Sequence, residues 1–112
     1  MRATFHLVAE EVWAAADAAA PYEAGSLADE GFIHCTDGVD EMGRTFDRYY
    51  AADARRFLIL TLDLDALDVP WRYDEPGSPY PHIYGAIRRS AVVAVARVER
   101  GPDGRFAGLL PA

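Results

Sequence analysis

The sequence predicts an α+β fold, with helices early and a sheet-rich second half. Three observations lead there. An alanine-rich stretch and a segment with helical spacing of its apolar residues both fall within the first 50 residues. From Arg56 onward the apolar runs have strand length and carry β-branched residues. Regular alternation of strand and helix is missing, which argues against a doubly wound nucleotide fold. At 112 residues the chain is expected to be a single domain, 1–112.

The elements follow in order. "TFHLV" (Thr4 to Val8) mixes aromatic and β-branched residues. As a strand it puts Phe5 and Leu7 on one face, and Thr4, His6 and Val8 on the other. "EEVWAAADAAA" (Glu10 to Ala20) leads with two glutamates and continues in alanine, which favours a helix that Pro21 ends. "YEAGSLADEG" reads as a loop with a turn at Gly25–Ser26. "FIHCT" then reads as a short strand, with Phe32, His34 and Thr36 facing one way and Ile33 and Cys35 the other. Thr36 or Asp37 can cap a second helix. Its apolar residues Val39, Met42, Phe46 and Tyr49 or Tyr50 keep helical spacing.

The second half is mostly strand. "RFLILTLD" (Arg56 to Asp63) is nearly all apolar, as a central strand buried on both faces would be. In "VPWRYD" (Val69 to Asp74), Pro70 suggests an edge or a strand start. "EPGSPYP" is a proline-rich loop, and "HIYG" a brief extended piece. "AVVAVARVER" (Ala91 to Arg100) is the last long strand, and "GPDG" turns the chain into a short terminal strand, "RFAGLL".

Composition narrows the function classes. The net charge is −7 and every basic side chain is arginine. An acidic domain is poorly suited to a nucleic-acid backbone, which clustered cations hold. No apolar run is long enough to span a bilayer. The start of the chain meets acidic residues at once, unlike a secretory leader. One cysteine cannot form an internal disulfide. The expectation is a cytoplasmic protein with no membrane partner and no nucleic-acid partner.

Several chemistries lack their residues. No phosphate-binding glycine loop is present. None of Ser26, Ser78 and Ser90 sits in a nucleophile elbow. Cys35 follows His34 directly, so on a strand the two point apart, and Cys35 reads as a small buried apolar residue. The carboxylates Asp63 and Asp65, and Asp74 and Glu75, read as turn and solvation residues. His6, His34 and His82 remain. With no local pair among them, a three-histidine metal hydrolase would need all three to converge through folding. If the strands of His6 and His34 are neighbours, their polar faces form one cleft wall. His82 and Tyr84 could add a wall opposite, and Gly31 and Gly85 would admit a ligand close to the backbone.

"FHLV", "SLADEGFIHCT" (Ser26 to Thr36), "DRYY" (Asp47 to Tyr50), "LDVPWRYD" and "PHIYGAI" (Pro81 to Ile87) resemble the small bacterial domain-of-unknown-function family 952. The resemblance runs from about Thr4 to Val98. That family is similar in fold to ADP-ribosyltransferases, which bind NAD in a cleft between two small sheets. Its nearest likeness there is the branch containing RNA 2′-phosphotransferases, in which two strand histidines replace other signature residues. The resemblance implies NAD, or a related ADP-ribosyl nucleotide, as ligand. It implies His6 at a ribose hydroxyl, the Leu7 backbone at the nicotinamide amide, and His34 near the nicotinamide ribose or phosphates. His6 and His34 are thereby the expected catalytic residues. Ser26, Thr36 and Tyr84 are expected to line the pocket, with Arg48 and Arg72 as diphosphate partners. The implied activity is transfer of ADP-ribose. The alternative is a non-catalytic ligand-binding or interaction module of the same fold.

Overall fold

Two antiparallel sheets and three short helices make up the computed structural model, which describes residues 1–112. The elements run β1 (Ala3–Ala9), α1 (Glu10–Ala15), α2 (Gly25–Glu30), β2 (Ile33–His34), α3 (Val39–Tyr49), β3 (Phe57–Asp63), β4 (Trp71–Tyr73), β5 (Pro81–Ile83), β6 (Val92–Arg100) and β7 (Phe106–Pro111). The large sheet has the order β1-β3-β6-β7 and the small one β2-β5-β4. The expected α+β class is therefore correct. No helix is long and apolar enough to cross a membrane.

β3 is the centre of the packing. Its even-numbered leucines, Leu58, Leu60 and Leu62, join Val8, Ile33, Cys35 and Ile83 in the main core between the sheets. Phe57, on its other face, packs with Ala9 and Phe46 beneath α3. Burial on both faces is what the nearly continuous apolar run required. α3 lays Met42, Gly43 and Phe46 on the large sheet. Gly43 is needed there, because a Cβ would stand 2.7 Å from the Phe106 ring.

Three expectations are corrected. The first helix stops at Ala15, because it buries no residue and six residues alone hold little helical structure. Residues 16–20 are instead tied back by Arg89, whose guanidinium donates to the carbonyls of Asp17 and Ala20 at 2.9 and 2.8 Å. The stretch read as a loop contains α2. Leu27 packs it onto the core, and Gly31, at φ 87°, closes it in the left-handed conformation that glycine adopts without strain. The strand read over Phe32 to Thr36 keeps only Ile33 and His34 in register with β5, plus one bond from Cys35 N–H to the Pro81 carbonyl at 3.1 Å. Thr36 turns to the large sheet and bridges Phe5.

Candidate functional site

The two sheets meet along one line and then part. β1 is an edge strand of the large sheet. Its even-numbered residues bond to β3, and at the ends of that ladder Leu64 N–H donates to Arg2 O and Glu10 N–H to Arg56 O, both at 2.8 Å. The peptide groups of odd-numbered residues therefore face outward. Phe5 uses them on Thr36, with bonds of 2.9 and 2.8 Å. One pair further on the strands splay. The outward N–H and C=O of Leu7 make no hydrogen bond and face a cleft.

This cleft, about 680 Å³, follows the open edge of β1. Such a volume lies in the usual range for small-ligand sites. On one side stand Thr45, Arg48 and Tyr49 of α3, with Tyr50 and Phe57. On the other stand Ser26 and Glu30 of α2, His34 and Thr36, and His82 of β5. Arg55, also in the cleft, is paired with Asp53 and Glu11. Arg48 has no carboxylate partner and lies 5.8 Å from the Tyr49 ring centre.

His6 and Tyr22 form the junction between the sheets. His6 is 6% exposed. Its Nδ1 lies 2.7 Å from the His34 carbonyl, which can only accept, so Nδ1 carries the proton. Nε2 then accepts from the Tyr22 hydroxyl at 2.9 Å. Burial pushes His6 down to about 4, so the ring is neutral near pH 7. Burial likewise pushes the hydroxyl of Tyr22 and the thiol of Cys35 upward, and Cys35 is the inert core residue its position suggested.

The other two histidines belong to a different cluster. His34 and His82 are directly paired across β2 and β5, with ring centres 5.5 Å apart. Nε2 of His34 lies 2.8 Å from Glu30. Nδ1 of His82 lies 2.6 Å from Asp74, and Phe32 stacks on the His82 ring at 4.0 Å. Asp74 also accepts from the Tyr84 hydroxyl and from Arg72 Nε. Hydrogen bonds from Tyr84, Arg72 and His82 hold its carboxyl far below the usual carboxylate range.

Of the residues singled out in the sequence, His6, Leu7, Ser26, His34 and Thr36 come together at the cleft, as do Arg48 and His82. Tyr84 and Arg72 do not line it. They pack against each other, with the guanidinium 4.2 Å from the ring centre, and serve Asp74. Gly31 ends α2, and Gly85 packs against Val69, where a Cβ would lie 2.6 Å from Cγ1; neither lines the cleft. The three histidines do not converge on one point, and no group of three potential ligands is gathered in metal-binding geometry. Sequence reasoning missed Tyr22, Glu30 and Asp74. The spacing of Glu30 to His34 was visible, but Asp74 reaches His82 only through the β4–β5 register, in which Tyr73 faces Pro81.

Comparison with known proteins agrees with this architecture. The family model described as "Protein of unknown function (DUF952)" matches residues 7–95, and the chain belongs to that family. The crystal structure of protein CC0527 from Caulobacter crescentus is similar, with 24% identity, coverage of 94% of this chain and 93% of that one, and a TM-score of 0.71. The solution structure of CC0527 gives 23% identity, 95% and 92% coverage, and a TM-score of 0.72. These likenesses speak to the fold alone. No curated protein matches the chain.

Proposed function

We propose that this member of the DUF952 family binds NAD, or a related ADP-ribosyl nucleotide, in the cleft along β1. In this reading the fold is ADP-ribosyltransferase-like and the activity is transfer of ADP-ribose. One observation carries the proposal: the unpaired N–H and C=O of Leu7, side by side on an open strand edge. The syn edge of a primary carboxamide offers one acceptor and one donor at matching spacing, so it satisfies both groups as a neighbouring strand would. Nicotinamide carries that group. Tyr22, whose proton goes to His6, keeps an oxygen lone pair that can accept from a ribose hydroxyl. Arg48, the unpaired cation of the cleft, suits a diphosphate. His6 serves as the neutral support of Tyr22, and His34 and Ser26 border the ribose and phosphate region.

A second reading, a non-catalytic binding module, draws on His6. A buried neutral ring with both nitrogens engaged carries no proton in or out.

Thermal unfolding with millimolar NAD and, separately, ADP-ribose tests the binding. Ligand at ten times its Kd adds about 1.4 kcal/mol, a rise of roughly 6–11 °C for a domain this size. The rise should shrink in Arg48→Ala. No shift with either ligand at millimolar concentration contradicts the proposal.

A further inference from the structure

Of the cleft histidines, His82 is the one whose carboxylate partner is itself held in place. His82 rests on Asp74 through Nδ1 at 2.6 Å, and its Nε2 has no protein partner. Asp74 is itself fixed by the Tyr84 hydroxyl and Arg72 Nε, so the carboxylate stays ionised and in place. Phe32 covers one face of the ring. His82 is partly buried, yet it stands on the cleft wall. The ring is thus set in one tautomer, with the Nε2 lone pair unused. His6 has no such free nitrogen. His34 also rests on a carboxylate, Nε2 to Glu30 at 2.8 Å with Nδ1 free, but both side chains are about half exposed and nothing else holds Glu30 in place.

We propose that His82 is the general base of the cleft and Asp74 its positioning residue. This rests on the nucleotide reading above and supplies it with a catalyst. The acceptor is a hydroxyl-bearing molecule, water in the simplest case. Its O–H proton passes to Nε2 of His82 while its oxygen forms the new bond to C1′ of the ribose. The bond from C1′ to the nicotinamide nitrogen breaks, and its electron pair stays with the ring, which leaves as neutral nicotinamide. The proton on His82 is then lost to solvent. Around the ring, the charged and titratable groups are His34 of β2, Glu30 of α2, Arg72 of β4, Tyr84 beyond β5, and Asp74.

The test uses the intact chain, with NAD and water as substrates. Nicotinamide release is followed over time, and NAD affinity is measured by calorimetry on the same samples. His82→Ala should keep NAD affinity within about twofold and lose at least about 100-fold in kcat, the usual span of a general base. Added imidazole should restore part of the rate. Asp74→Asn should lower kcat with little change in KM, and imidazole should not restore it. Nitrogen NMR supplies a readout apart from turnover: His82 is the Nδ1–H tautomer in the wild type and a mixture in Asp74→Asn. Wild-type binding of NAD without any release overturns the base assignment and leaves the binding proposal standing. Release unchanged in His82→Ala does the same. Failure to bind NAD at all removes the proposed function, and the base assignment with it.

Discussion

His6 and His82 are the same residue type, both on strands and both at one cleft, yet their surroundings give them opposite duties. His6 is sealed at the seam of the two sheets, with both nitrogens spent on Tyr22 and the His34 carbonyl. His82 spends one nitrogen on Asp74 and keeps the other. A buried ring with no spare partner is part of the structure. A ring with a carboxylate behind it and an open nitrogen in front is poised for chemistry. What separates the two is the count of partners each ring already has.

That contrast can be broken by mutation. The largest expected effect is on stability. His6→Ala leaves the Tyr22 hydroxyl and the His34 carbonyl without partners and opens a void, costing about 3–5 kcal/mol. Chemical denaturation should show that loss, while His34→Ala, on the exposed side, should change stability by less than about 1 kcal/mol. Similar losses in both variants would erase the distinction between seam and cluster.

The next effect is a response to acid. His6 is held at about 4 rather than its ordinary 6.5. Between those values the unfolded chain takes up a proton that the folded one refuses. Stability therefore falls as pH drops from about 6.5 to about 4, by about 3 kcal/mol in all. His6→Gln can keep both hydrogen bonds but cannot titrate. The wild-type loss minus that of His6→Gln isolates the contribution, since the carboxylates act alike in both. Parallel pH curves would mean that His6 titrates freely.

Much of the fold was legible because its signals are local. The nearly continuous apolar run at Leu58 to Leu62 announced a strand covered on both faces, and Pro70 announced an edge. Alanine propensity overstated α1, where no face is buried to hold the helix. The turn chemistry of Gly25–Ser26 hid α2, although Leu27 and the terminating Gly31 were both in view. At the site, the histidines and Leu7 could be named, because their residue types and the resemblance marked them. The partners that assign their duties could not. Tyr22 meets His6 across 16 residues, and Asp74 meets His82 by strand register. Neither distance nor register is written in a local pattern.

The central claim is that the open edge of β1 receives a carboxamide. Amide NMR during titration with NAD tests it directly. The account predicts that the Leu7 N–H shifts downfield and saturates, while the amide of His6, already bonded within the sheet, moves much less. A saturable NAD titration that leaves Leu7 unmoved would contradict it.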